Sequence, residues 1–215
     1  MKKLLLTLML FALVSMGFAQ NTYYWVAGTI ASNLTSGSSW NTQQDGLGSS
    51  RVANTGDVLI IDGANIGGTT PTTGIATIIV NGATTAQIKV QNGANVVLVR
   101  PTSSGTITLA NNTVGQPGLL VDATSSLQLG KLDETYVGAV YLDFPTSTAL
   151  INGTIKMVQG TVNSIVTGLP RITSRTAGSV VFTLGSSLEF NNTSNYPFGT
   201  VGVATSNSSN FAVVF

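Results

Sequence analysis

The 215-residue sequence contains no cysteine and no histidine. Without cysteine, the chain cannot form disulfide bonds, thiolate metal sites, cysteine nucleophiles or a lipid anchor on an N-terminal cysteine. Without histidine, it lacks the Ser-His-Asp triad, the Cys-His pair and nearly every kind of zinc site. An enzyme built on this chain would therefore have to use carboxylates, Lys, Arg or Tyr.

Charged residues are also scarce, at 8% of the chain against about 25% in ordinary domains. Hydrophobic residues make up 43% and the formal net charge is only +1, so the composition is not that of a disordered chain. Neither a nucleic acid nor an anionic membrane surface is expected as a partner. The chain is long enough for one domain with a sizeable core.

The first nineteen residues have the pattern of a secretory signal peptide, with Lys2 and Lys3 before an apolar run and small residues at Gly17 and Ala19. The alternative is a membrane anchor, but Thr7 and Ser15 interrupt a run that is already short for a span. We expect export by a Sec-type route, a secreted or cell-surface location and no membrane span after cleavage.

After residue 20 the sequence lacks the apolar spacing of a helix over three turns. Short β-branched runs bounded by Gly, Asn, Ser, Thr or Pro predict strands instead. They lie at 57–62, 76–80, 87–90, 95–99, 106–109, 118–121, 126–129, 139–144, 153–158, 178–184, 187–190 and 210–215. The predicted fold class is all-β.

One template recurs in "VQNGANVVLV" (90–99), "VDATSSLQLG" (121–130) and "FTLGSSLEFN" (182–191). Asn92-Gly93 suits a tight hairpin, but it also suits a corner between parallel strands. Three copies favour the corner. Residues 88–90 align with 119–121 at a shift of 31, and "TIIV" (77–80) aligns with "TITL" (106–109) at a shift of 29. This periodicity predicts a solenoid, with a β-sandwich as the alternative.

The segment "ANTGDVLIIDGANI" (53–66) resembles the opening segment of right-handed parallel β-helix proteins. The small-residue turn before an "LxL" triplet is similar to the coils of that group, which includes filamentous adhesins and pectate-lyase-like enzymes. "YYWVAGTIASNLTSGSSW" (23–40) resembles the start of mature Bacteroidetes surface proteins exported by the type IX route. The resemblance implies a right-handed parallel β-helix on a secreted surface protein, although a type IX sorting domain is not recognisable.

The predicted organisation is a signal peptide over 1–19, a capping segment over 20–56 and solenoid coils over 57–215, which we expect to continue beyond Phe215. The final run "NFAVVF" (210–215) would otherwise leave an unprotected strand edge. It is therefore a candidate for self-association.

The spacing of Arg100, Asp122 and Asp143 is 22 and then 21, so they could stack on one face if a coil had that length. The lyase resemblance implies that two carboxylates beside a guanidinium could hold Ca²⁺ and a uronate. The repeat spacing near 30 opposes this column, and isolated acids at turns usually bind local backbone. We expect local roles for Asp57 and Asp62 at turns, and for Asp133 and Glu134 in a solvated loop.

Aromatic residues concentrate near the mature N-terminus, where Tyr24, Trp25 and Trp40 include both tryptophans of the chain. Flat rings could stack on sugars. The alternative, which we favour, is a bulky lid over the first coil.

The predicted function is a secreted or cell-surface structural or adhesive protein without catalytic activity, metal or cofactor in this segment. Its partner would be a polysaccharide or another cell-surface component. Two alternatives are a carbohydrate-active β-helix of the polysaccharide lyase or glycoside hydrolase type, and a carbohydrate-binding β-sandwich module.

Overall fold

The computed structural model describes residues 20–110, 116–133, 135–159, 161–162, 165–166, 170–174 and 180–192. Within these ranges the chain is all-β, as predicted, with one short 3₁₀ helix at Gly37–Ser39. The predicted signal peptide (1–19) and the last predicted strand (210–215) lie outside the described residues. In the described part, no helix has the length and hydropathy needed to cross a membrane.

The described strands form three main sheets. Sheet A contains, in spatial order, β3 (Trp40–Asn41), β1 (Thr22–Trp25), β4 (Val58–Asp62), β7 (Gln87–Gln91), β10 (Leu119–Val121), β13 (Ala149–Ile151) and β18 (Val180–Phe182). Sheet B contains β2 (Ser32–Asn33), β5 (Ile75–Ile79), β8 (Asn95–Val99), β11 (Ser126–Leu129), β14 (Thr154–Gln159) and β19 (Ser187–Asn192). Sheet C contains β6 (Ala83–Thr85), β9 (Gly105–Leu109), β12 (Val140–Phe144) and β17 (Arg171–Ser174), and β15 (Thr161–Val162) pairs separately with β16 (Ile165–Val166).

From β4 onward the chain visits the sheets in the order A, B, C and then returns to A. We call one such set of strands a repeat. Neighbouring strands within each main sheet are parallel, except for the antiparallel β1–β3 pair. In sheet A, Leu59 pairs with Ile88, which pairs with Leu119, so the register shifts by 29 and then by 31. The next two shifts, to Ala149 and Val180, are 30 and 31.

The predicted shift of 31 is confirmed, because residues 88–90 pair directly with 119–121. The alignment of "TIIV" with "TITL" is wrong. Thr77 lies in sheet B opposite Val97, whereas Thr106 lies in sheet C opposite Tyr141. The two segments look alike because strands of different sheets share the same alternation of apolar and polar residues.

Asn92-Gly93 forms a corner and not a hairpin, because β7 belongs to sheet A and β8 to sheet B. Both residues adopt positive φ, 56° for Asn92 and 75° for Gly93. This conformation turns the chain sharply, and Asn and Gly are the residues that tolerate it best. The equivalent corner in the fourth repeat is Asn152-Gly153, between β13 and β14.

Buried side chains from all three sheets form one continuous cluster. In β9 the burial alternates along the strand, with Gly105, Ile107 and Leu109 inside. The same alternation across sheet B stacks Val96, Leu127 and Ile155 in register. Burying one such aliphatic side chain contributes about 1.5–3 kcal/mol, so the core between the sheets is the main source of stability.

Gly153 provides a test of how closely the repeats approach each other. It is buried, and a Cβ there would overlap the backbone carbonyl oxygens of Asp122 and Ser125 in the preceding repeat. We expect Gly153→Ala to lower the free energy of unfolding by about 2–3 kcal/mol, because backbone must shift. Denaturant unfolding followed by circular dichroism measures this change.

Gly56→Ala is the matched control. A Cβ at Gly56 meets only Asn54 Oδ1 at 3.6 Å, which is an ordinary contact. Its expected effect is within about 0.5 kcal/mol. Equal effects of the two substitutions would contradict the close packing at the corner.

Candidate functional site

The predicted capping segment, 20–56, adds strands to two of the sheets. β1 pairs in parallel with β4, and β2 pairs in parallel with β5. β3 then runs antiparallel to β1 at the edge of sheet A, with Trp25 opposite Trp40. The segment therefore continues the sheets by one incomplete layer and ends sheet A with a very short strand.

Both tryptophans are fully buried, so they cannot provide the sugar-stacking surface that was one of their two possible roles from the sequence. Their rings pack edge to face, with centroids 5.1 Å apart and an interplanar angle of 78°. Each indole N–H donates to a backbone carbonyl, that of Gly28 for Trp25 and that of Leu34 for Trp40. Tyr24 is half-buried, on the opposite face of β1. A ring enclosed on both faces serves the core.

A buried ion pair, which the sequence did not reveal, holds the segment between β3 and β4. Arg51 Nε lies 2.7 Å from Asp57 Oδ2, and both side chains are almost completely buried. The Arg51 guanidinium also donates to the carbonyl of Leu34, and Asp57 Oδ2 accepts from the backbone N–H of Asn54. The two charged residues lie close together in an irregular stretch, where no periodicity indicates burial.

Asp57 also binds the end of the first repeat and the start of the second. Its backbone carbonyl accepts hydrogen bonds from the Thr85 hydroxyl at 2.5 Å and from the N–H groups of Ala86 and Gln87. The Asp57 side chain and backbone together fix the start of β4 against the start of β7. The expected turn role of Asp57 is therefore extended to a role between repeats.

The predicted column of Arg100, Asp122 and Asp143 is not formed. Arg100 follows β8 of sheet B, Asp122 follows β10 of sheet A, and Asp143 lies within β12 of sheet C. Residues stack in one column when they are about 30 apart, as in sheet A, and not at 22 and 21. The arrangement that could have held Ca²⁺ and a uronate is therefore absent for these three residues.

Polar residues do form a column, at the corner between sheets A and B. The buried residues Ile61, Val90, Val121, Ile151 and Phe182 pair with one another across sheet A. The column contains the residue that directly follows each of them, namely Asp62, Gln91, Asp122, Asn152 and Thr183. Asp62 Oδ2 accepts from the side-chain amides of Gln91 and Asn92, each at 2.8 Å. The Thr183 hydroxyl donates to Asn152 Oδ1 at 2.9 Å.

Asp122 is engaged by two repeats. Its carboxylate accepts from the backbone N–H of Asn92 and from the N–H and hydroxyl of Thr124. Partial burial opposes ionisation, but the nearby hydroxyl of Ser125 and the hydrogen bonds from Asn92 and Thr124 outweigh it and hold the pKa of Asp122 below its ordinary value. The carboxylate thus stays ionised as a hydrogen-bond acceptor between repeats.

The remaining predicted acids have local partners. Asp62 also accepts from the N–H of Ala64, as expected at a turn. Asp133 lies 2.9 Å from Lys131 Nζ, and the Lys131 hydrogen bond lowers the pKa of Asp133 to about 2. Glu134 lies outside the described residues. Asp143 lies between Thr108 and Thr173 in the register of sheet C.

Among the described residues, no group of three or more acidic side chains is placed to hold a metal ion. Several polar contacts at the corner join one repeat to the next, and the backbone carbonyl of Asp57 accepts hydrogen bonds at the start of β7. They are suited to holding strands in register.

No family model matches this chain, and neither a curated protein nor a solved structure was found that matches it.

Proposed function

We propose that this chain is a secreted or cell-surface parallel β-helix with a structural or adhesive role and no catalytic activity in this segment. The observation that carries the proposal is the repeating register. Strands return to the same sheet at a nearly constant shift, between 29 and 31, and pair in parallel with the strand one repeat earlier. A right-handed course is proposed because nearly all crossovers between parallel strands are right-handed.

The pattern of burial supports a solenoid over a sandwich. Parallel sheets normally have both faces covered by helices, yet strands such as β9 and β12 alternate between buried and half-buried residues. Their inward faces all contribute to one cluster. Three sheets packed against each other in this way would enclose a single core along the axis of a solenoid.

The polar contacts between repeats support a passive, geometric role. Gln91 and Asn92 both donate to Asp62, Ser126 donates to Asn95 at 2.7 Å, and the hydroxyls of Thr154 and Ser187 are 2.9 Å apart. Each links one repeat to its neighbour. A stack joined in this way would form a stiff stalk that presents loops or a further domain away from the cell.

Location is the first test of this function. With an antibody raised against residues 20–215, we expect the protein in the envelope or medium, accessible on intact cells, with Gln20 as its N-terminal residue by mass spectrometry. A matched variant without residues 2–19 should stay in the cytoplasm. Finding the unaltered protein in the cytoplasm with Met1 retained would contradict the proposal.

Catalysis is tested on the exported protein with a panel of acidic polysaccharides. We expect no release of unsaturated or reducing sugars. Activity that is lost in both Asp122→Ala and Asp143→Ala would instead favour the carbohydrate-active alternative.

A further inference from the structure

Three Asn-Gly pairs, at 81–82, 92–93 and 152–153, lie in the described part of the chain. Such a pair can modify itself, since the backbone nitrogen after the asparagine can attack its side-chain carbonyl carbon and glycine offers no side chain to hinder the approach. The surroundings of the three pairs differ, so the rates at which the three asparagines react in this way should differ too.

Asn81 is exposed, and its carboxamide is held by Asn33 of β2 and by Arg100, which follows β8. The guanidinium of Arg100 donates to Asn81 Oδ1, and Asn81 Nδ2 donates to Asn33 Oδ1 at 2.7 Å. Arg100 is itself oriented by Nε, which donates to the carbonyl of Thr102 at 3.1 Å. A cation therefore lies against the same carbonyl oxygen that an attack on Cγ would make negative.

We propose that Asn81-Gly82 is a site of spontaneous deamidation promoted by Arg100. The Gly82 nitrogen loses its proton and forms a bond to Asn81 Cγ, and this bond closes a five-membered ring. The side-chain amide nitrogen takes up a proton and leaves as ammonia, so the product is a succinimide. Water then opens the ring at either carbonyl and gives aspartate or isoaspartate. The guanidinium stabilises the oxyanion formed in the first step, as preorganised donors do in acyl transfer.

The Gly82 nitrogen is available for this attack. Gly82 is exposed at φ 91°, and no described residue accepts a hydrogen bond from its N–H. At the Asn152 pair, by contrast, Gly153 is buried and its N–H donates to the carbonyl of Val121. That nitrogen would have to give up a hydrogen bond before it could react.

The Asn92 pair is exposed but is held differently. Asn92 has a left-handed backbone, and its Nδ2 donates to the carboxylate of Asp62. Asp122 accepts from its backbone N–H. Two carboxylates beside this residue disfavour an oxyanion on its side chain. We therefore expect deamidation to be fastest at Asn81, slower at Asn92 and slowest at Asn152.

The product would strengthen the contact that promotes it. An aspartate at position 81 places a carboxylate against the Arg100 guanidinium, so a hydrogen bond from a cation to a neutral amide becomes an ion pair. The net charge falls by one for each event. The Asn33 side-chain oxygen loses the hydrogen bond that Asn81 Nδ2 donates to it.

The test follows the three sites in the folded, exported chain at 37 °C and slightly alkaline pH by peptide mass spectrometry and isoaspartate detection. We expect Asn81 to react first, and Arg100→Met to slow it about fivefold without changing Asn92. Arg100→Lys should retain part of the rate, and Lys156→Met, which removes a cation elsewhere, should change nothing.

The same sites are then followed in urea, where the fold no longer distinguishes them. There the rates should converge, and Arg100→Met should have no effect. If Arg100→Met left the rate at Asn81 unchanged or raised it in the folded chain, the proposal would be overturned, since Arg100 would then only anchor the side chain. A faster reaction at Asn92 or Asn152 would overturn it as well.

Discussion

Deletion of residues 88–118 is expected to give a folded, shorter protein. Ile88 pairs with Leu119 of the next repeat, so the deletion removes one repeat and lets Leu119 take the place of Ile88 opposite Leu59. In sheet B, Ser126 would take the place of Asn95 opposite Ile75. Each repeat contacts mainly its neighbours, so the remaining ones keep compatible partners.

The matched control deletes residues 88–103, about half a repeat. β9 of sheet C would then follow β6 of the same sheet directly, and every later strand would reach the wrong sheet. We expect this variant to lose its cooperative unfolding transition and its soluble yield. The longer deletion should retain the transition, with a smaller dependence of unfolding free energy on denaturant, because less surface is buried. If both deletion variants had the same unfolding transition and soluble yield, the chain would not be built from repeats of about 30 residues.

Asp57→Asn is expected to lower the free energy of unfolding by about 3–5 kcal/mol. The substitution keeps the size of the side chain but leaves the buried Arg51 guanidinium without its counter-charge. The penalty is large because a buried cation without a counter-charge has lost its water, and its remaining hydrogen bond to the carbonyl of Leu34 does not compensate for that loss. For a domain of this size the melting temperature should fall by roughly 10 °C.

Glu189→Gln is the control for Asp57→Asn, because it makes the same change in an exposed pair. Lys156 Nζ and Glu189 Oε2 are 3.1 Å apart, with the side chains 40% and 51% exposed. Solvent and salt screen such a pair, so its loss should cost less than about 1 kcal/mol. Thermal unfolding by calorimetry gives both values. Comparable losses would mean that the Arg51–Asp57 pair does not secure the first repeat.

The corners could be predicted from the sequence because their chemistry is local. Asn92-Gly93 needs positive φ, which few residues tolerate, and short runs of small or polar residues also form the corners from sheet A to sheet B after β10 and β13. The strands between corners follow from alternation. Among the strands of the three main sheets from β4 onward, β6, β13 and β17 were not predicted. "ATT" and "RITS" have too few apolar residues to stand out, and "ALI" (149–151) is only three residues long.

The candidate site could not be predicted in the same way. Arg100, Asp122 and Asp143 have a regular spacing, but it differs from the register shift between repeats, and connections of different length carry the three residues to different sheets. Trp25 and Trp40 carry both an apolar ring and a polar N–H, so their sequence context fits a ligand surface as well as a core. Only their packing against each other distinguishes the two.

The sequence by itself determined the all-β class, the corners and the step from residues 88–90 to 119–121, because these depend on backbone conformations and side-chain alternation that neighbouring residues specify. The tertiary structure alone decided that both tryptophans are buried, that Arg51 reaches Asp57, and that Arg100 lies against Asn81. These contacts join residues through the stacking of strands, and their free energy depends on burial and on distance. Neither quantity exists until the repeats have packed.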